Sequence, residues 1–251
     1  MSTSTERIWP NCSNLEAYLD DFPEHRQRYD LVISFIKGLK CADVSCGVGY
    51  GSFMMGEVAK SVKGFDISKD ALDHANENFK RDNVSFHNFS DFNGEKYDVI
   101  TSIETLEHMN EADGDIFLQK IAKNMDIKSL MILSTPLNES NIKQNVTPFH
   151  IREYSHQELI EKLTANGFCV EEWFGQSNIV SKRMAKNIFG LSFLQILNMG
   201  LHKIIPKLVR QCIVKGMFKK DTIQSKSSCK IVPGDLAGAF SQIAICRLNT
   251  D

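Results

Sequence analysis

Apolar residues along this chain gather in short runs separated by stretches of helical spacing. The runs are a stretch ending at Asp43-Val44, then Val62–Asp66, Val84–His87, Tyr97–Ile103, Leu130–Ser134, Cys169–Phe174 and Gln242–Leu248. Leu130–Ser134 is unbroken, as suits a parallel strand covered on both faces, and Pro136 ends it. Between the runs, Tyr29, Val32, Ile33 and Ile36 predict a helix over 24–37 that Pro23 can start. A helix over 51–60 follows the first run. Ser68 caps a third helix, Lys69–Arg81, with Asp70 in its first turn and Ala71, Leu72, Ala75 and Phe79 inward. Ile116, Phe117 and Ile121 mark a helix over 113–124. Ser155 and Glu158 form a capping box before Leu159, Ile160 and Leu163, and Gly167 ends that helix. Strands alternating with helices read as an α/β fold.

The first run empties into Ser45-Cys46-Gly47-Val48-Gly49-Tyr50-Gly51, a G-x-G-x-G turn. A glycine turn between strand and helix brings bare backbone close to a ligand. Asp66 ends the next run, and an acid there suits a ribose with two free hydroxyls. Asp43–Gly49 resembles the first motif of the class I S-adenosylmethionine (SAM) dependent methyltransferases, and Asp66 their second. Ser45 stands where that family usually has its first glycine, so a slightly tighter loop is expected. Tyr97-Asp98-Val99-Ile100 followed by Glu104-Thr105-Leu106-Glu107-His108, then Thr135-Pro136, Phe149-His150-Ile151-Arg152-Glu153-Tyr154-Ser155 and Gly167-Phe168, resembles one branch of it. That branch holds ubiquinone-biosynthesis O-methyltransferases and enzymes of polysaccharide and antibiotic pathways. The resemblance covers about residues 38–177. It implies a Rossmann-like seven-stranded, mostly parallel sheet with helices on both faces and the last strand antiparallel. It also implies a SAM site at Asp43, Ser45, Cys46, Gly47, Gly49, Asp66, Ile67, Ser90, Asp91 and Glu104, with Asp91 near the adenine amino group. The N-terminal segment commonly covers the cofactor in such enzymes. Tyr18, Arg26 and Arg28 could reach cofactor or substrate there, and solvated surface is the expected reading.

The chain has 251 residues, 42% hydrophobic and 24% charged, with a net charge of −2. This is ordinary globular composition, and it argues against a nucleic-acid binder. Seven cysteines without a C-x-x-C pair fit reduced thiols rather than a disulfide framework or structural zinc. No signal-peptide pattern opens the chain, so a cytoplasmic protein is expected. Nine Lys or Arg fall between 178 and 220 with no Asp or Glu, which leaves 20 basic against 31 acidic residues elsewhere, a net −11. The same segment is rich in Ile, Leu and Phe, without the ~20-residue apolar run of a membrane span. It suits a helical substrate cap or a peripheral contact with an anionic membrane. The expected organisation is an N-terminal cap and helix at 1–37, a SAM-binding core at 38–177, a basic and apolar helical insertion at 178–240, and a last core strand at 241–251. The polar stretch 137–149 is expected to loop over the site.

Methyl transfer to a hydroxyl requires an aligned acceptor and a base. His108 and His150, with Glu104, are the candidates, all just past strands four and five. Glu104, Glu107, His108 and His150 also resemble the metal-ligand set of small-RNA 2′-O-methyltransferases, and such a set suits Mn²⁺ better than Mg²⁺. In the metal-free alternative Glu107 is a surface residue and one histidine acts alone. The acceptor expected is a sugar or glycan precursor. A quinone or phenolic precursor, an RNA 2′-hydroxyl, and a SAM-binding regulatory protein without catalysis remain open beside it.

Overall fold

The structure, a computed structural model, describes residues 9–138, 149–178 and 229–250. Most of the expected site loop at 137–149, and the 178–240 insertion up to residue 228, lie outside the described residues. In chain order the strands are β1 Lys40–Val44, β2 Ser61–Asp66, β3 Val84–Asn88, β4 Tyr97–Ile103, β5 Met125–Pro136, β6 Phe168–Asn178, β7 Cys229–Pro233 and β8 Ser241–Leu248. The helices are α1 Leu15–Asp21, α2 Pro23–Ile33, α3 Tyr50–Met55, α4 Lys69–Asn78, α5 Glu111–Lys123 and α6 His156–Ala165.

The strands form one sheet in the order β3-β2-β1-β4-β5-β8-β6-β7. The first five run parallel, and β8 runs antiparallel to both β5 and β6. The α/β class, the mostly parallel sheet and the reversed last strand are as expected. The strand count is not: eight strands replace seven. The added one is β7, at the sheet edge, inside the stretch assigned to a helical insertion. Residues 229–240 therefore hold a strand and turns rather than helix.

Side chains of adjacent strand residues point to opposite faces, and each face carries its own core. Ala42, Ile100, Met131, Leu133 and Ala244 pack with Phe117, Leu118, Leu159 and Leu163 of α5 and α6. Cys41, Val99, Ile132 and Ile243 pack with Leu19, Tyr29, Val32 and Met55 on the opposite face. Helix α1 escaped the sequence pattern because only Leu15, Tyr18 and Leu19 face inward over its seven residues. Helix α5 starts two residues earlier than expected because the Asn110 side chain accepts from the Asp113 N–H and caps it. The capping box at Ser155 and Glu158 is formed as expected. Strand order reverses between β1 and β4, and ligands of open α/β sheets bind beyond the carboxyl ends of strands at such a switch.

Candidate active site

The glycine turn leaves β1 at this switch point. Ser45 has φ +64°, the left-handed region where glycine is at ease, which explains the glycine usual there. A serine in that region costs about 1–2 kcal/mol. Gly47 is also left-handed, and a Cβ there would meet no atom within 4 Å, so the loop presents open backbone to a ligand. Gly49 differs: its Cβ would strike Ala75 and the Phe86 ring at 2.6–2.8 Å, so this glycine serves packing against α4 and β3. Cys46 is buried, and its backbone N–H donates to Phe65 O (2.9 Å).

Asp43 is buried, and Ser52 Oγ and Thr101 Oγ1 donate to its two oxygens at 2.7 and 2.8 Å. Burial pushes its pKa from 3.8 up to about 6, against the pull of these hydroxyls. Its side chain braces the loop from behind. Asp66 lies at the end of β2, where Gly47 N–H and Ser68 N–H donate to its two oxygens, each at 2.8 Å. These bonds aim the carboxylate, and a carboxylate accepts about four, so ribose hydroxyls are within its capacity. The next side chain, Ile67, is apolar yet 80% exposed, a surface that a ligand would cover. Ser90 and Asp91 lie in the short 3-10 turn Phe89–Asp91 after β3, where the Ser90 hydroxyl donates to Asp91 Oδ1 (3.3 Å). Open backbone at Gly47 and an aimed acid at Asp66 fit a SAM nucleoside.

At the end of β4, Glu104 takes φ +50°. Ser134 Oγ and Ser241 Oγ donate to its Oε1 at 2.8 and 3.0 Å, and Arg28 Nη2 is 3.3 Å from its Oε2. Arg28 is buried rather than solvated, and its Nε donates to Gln176 Oε1 (2.8 Å). Tyr18 is buried too. Arg26 does match the surface reading and pairs with Glu16. Beside Arg28, His25 Nδ1 is hydrogen-bonded to the Tyr50 hydroxyl (2.6 Å), and burial together with the Arg28 charge lowers its pKa to about 4.

Glu107 and His108 stand in the 3-10 turn Leu106–His108. Glu107 is 1% exposed, which corrects its reading as a surface residue. Thr135 Oγ1 donates to its Oε2 (2.9 Å). Burial, reinforced by the charge of Glu104, holds its carboxyl well above the ordinary carboxylate range. The Glu107 carbonyl accepts from Ile151 N–H and Arg152 N–H at 2.8 and 3.0 Å, which pins the stretch after residue 149 onto this corner. His150 thereby reaches His108, ring centroids 5.2 Å apart at 79°. His108 Nδ1 is 3.1 Å from Phe149 O, and His150 Nδ1 is 2.7 Å from Glu153 Oε1. Carbonyls and carboxylates only accept, so each Nδ1 donates and each Nε2 is the basic nitrogen. Glu107, His108 and His150 each offer an atom within 4.8 Å of the others. Glu104, the fourth member of the expected metal set, is engaged with Arg28 and the serines instead. The sequence reading assigns no role to Gln176, Ser134, Thr135 or Ser241, although Ser134 ends a quoted apolar run and Thr135 stands in the quoted Thr-Pro pair. Their only signal was small or polar residues at the ends of otherwise apolar strands. Glu153 stood in the quoted Phe-His-x-x-Glu stretch without being given a role.

A doubly covered sheet of this order, with a glycine turn after β1 and an aimed acid after β2, defines a class I SAM-dependent methyltransferase fold. A family model described as a methyltransferase domain matches residues 12–173. The chain belongs to that methyltransferase family. A probable S-adenosylmethionine-dependent methyltransferase of Mycolicibacterium smegmatis is 26% identical over 160 residues, covering 61% of this chain and 61% of that protein. The chain thus spans about 61% of that relative's length. A ubiquinone biosynthesis O-methyltransferase of Chelativorans sp. is 29% identical over 126 residues, 47% of this chain and 49% of that one. Among solved structures, a DhpI-SAH complex superposes with a TM-score of 0.56 at 14% identity, covering 95% of this chain and 90% of that chain. Magnesium protoporphyrin IX methyltransferase from Synechocystis with bound SAH gives 0.51 at 21% identity, covering 62% and 79%. These two likenesses speak to the fold alone.

Proposed function

We propose that this protein transfers the methyl group of SAM to a hydroxyl of a small acceptor, a sugar or glycan precursor, with His108 and His150 as the acid–base pair. The observation that carries this reading is the imidazole pair itself, with His150 oriented by Glu153 at 2.7 Å. SAM, when bound, supplies a methyl carbon activated by its sulfonium. The chain's own residues do the rest. Gly47 and Asp66 hold the nucleoside end, and the corner after β4 faces the acceptor. One Nε2 takes the hydroxyl proton as the oxygen attacks, a contribution of about 10²–10⁴ in rate. An aliphatic hydroxyl is a much weaker acid than a phenol, so it depends more on such a base. A quinone or phenolic acceptor is the second reading, and similarity to ubiquinone-biosynthesis O-methyltransferases favours it. A SAM-binding protein without catalysis has no use for such an imidazole pair.

A divalent metal is the remaining alternative, favoured by the approach of Glu107, His108 and His150. One carboxylate and two imidazoles suit Mn²⁺, Fe²⁺ or Co²⁺. Such a metal would need Glu107 as a carboxylate, whereas burial and the charge of Glu104 raise its pKa. The basic charge of 178–220 supports an anionic acceptor or a peripheral membrane contact. Among the described residues no helix is long and apolar enough to cross a membrane. Turnover of SAM against nucleotide sugars, catechols and RNA 3′ ends tests the acceptor. The expectation is methylation of the sugar hydroxyls. Turnover confined to catechols would transfer the assignment to the phenolic reading, and turnover confined to RNA would end both.

A further inference from the structure

We propose that Arg28, on helix α2, is a positioning residue for the methyl transfer: through Glu104 it fixes the corner that carries Glu107 and His108. The inference rests on the assignment of the histidine pair as the acid–base groups.

Glu104 is a non-glycine residue at φ +50°, immediately after β4. Such a conformation persists only where its surroundings over-determine it. Here they do so from two strands and one helix. Its backbone N–H donates to Ser134 O of β5 (3.0 Å). Its Oε1 accepts from Ser134 Oγ and from Ser241 Oγ of β8. Its Oε2 faces Arg28 Nη2 at 3.3 Å, the only cation paired with it among the described residues. The Glu104 side chain is 24% exposed and that of Arg28 only 6%, so water replaces neither partner well.

Arg28 is in turn oriented. Gln176 at the end of β6 is fully buried and accepts from Arg28 Nε at 2.8 Å. The Gln176 amide donates back to Glu24 O at 3.0 Å, one turn earlier on α2. The guanidinium is thus clamped between the helix that bears it and two strands on either side of β5 and β8. Three residues beyond Glu104, the Glu107 carbonyl pins Ile151 and Arg152, and with them His150. Arg28 acts on the reacting groups through this corner and touches neither histidine.

The test uses the full chain with its acceptor. Arg28→Met keeps the length and apolar stem but removes the charge and both donors. Arg28→Lys keeps the charge. The expected result is a 10- to 100-fold loss of kcat in Arg28→Met, since a misplacement of about 1 Å can cost 10²-fold. SAM Kd and acceptor KM stay within about threefold, and Arg28→Lys recovers most of the loss. Gln176→Ala, which frees the guanidinium without removing it, lowers kcat by about three- to tenfold and serves if Arg28→Met does not fold. Ring-nitrogen NMR signals of His108 and His150 shift in these variants relative to the wild type, with or without acceptor. That readout separates the two ideas. Shifted signals in variants of an enzyme whose histidine replacements leave turnover intact would show that Arg28 fixes the corner but would sink the acid–base assignment, and with it the catalytic role of that fixing. Unmoved signals with kcat per folded molecule unchanged would reduce Arg28 to a stability contact. A rise in SAM Kd or acceptor KM in place of the kcat loss would make it a binding residue. Either result overturns the proposal.

Discussion

Asp43 and Asp66 end neighbouring strands, and the same residue type does two different jobs there. Asp66 collects Gly47 N–H and Ser68 N–H and faces the open loop. Its hydrogen bonds to ribose hydroxyls would be charge-assisted, roughly 1.5–3 kcal/mol in all. Asp66→Ala should therefore weaken SAM binding about 10- to 100-fold by calorimetry, and unchanged affinity would remove it from the site. Asp43 is buried behind the loop, with a folded-state pKa of about 6 against 3.8. A raised acid favours the folded state when protonated. That contribution is fully present below pH 3.8 and is lost as pH rises through about 6. In Asp43→Asn the group no longer titrates. From pH 4 to pH 7 the wild type should lose about 2 kcal/mol relative to this variant, at 1.36 kcal/mol per pH unit. Urea unfolding at several pH values measures it, and parallel curves would mean that the hydroxyls of Ser52 and Thr101 outweigh burial.

Helices α5 and α6 follow the two histidine-bearing stretches and are tied together by one buried cation. Lys162 Nζ donates to Glu111 O, Glu111 Oε1 and Asp115 Oδ1 at 2.7–3.1 Å, with its side chain only 3% exposed. Its carboxylate partners are 58% and 38% exposed and can rehydrate. Lys162→Met should then cost about 1–3 kcal/mol, below the 3–5 for a fully buried pair, with SAM affinity unchanged. A loss under 0.5 kcal/mol in chemical denaturation would make the tie incidental. The strands were legible in the sequence because apolar runs stop at marked residues: Asp43, Asp66 and Pro136. Capped helices were legible as well, at Ser68 and Ser155. Helix α1 and strand β7 were not. The first hides its inward residues in a polar segment. The second is an edge strand of five residues whose burial alternates only partly.

Across the whole molecule, the parts of the site written in contiguous motifs were readable: the glycine turn, Asp66, and His108 with His150 as candidates. Contacts between distant segments were not. Arg28 meets Gln176 across 148 positions, and Thr135 meets Glu107 across 28. No local pattern signals that a helix arginine turns inward or that a turn glutamate is buried. Periodicity reports which face of an element is apolar, and it carries no sign of a single polar group buried within a helix, a turn or a strand end. The central claim is that two imidazoles, unaided by metal, take the acceptor's proton. It is tested most directly by methyl transfer from SAM to the accepted hydroxyl, measured for wild type, His108→Ala, His150→Ala and the wild type in EDTA. The account predicts full turnover in EDTA. It also predicts a loss of about 10²–10⁴-fold in at least one histidine variant, with SAM binding intact. Abolition of turnover by EDTA and its return with Mn²⁺ or Co²⁺, or near-full turnover in both histidine variants, would contradict it.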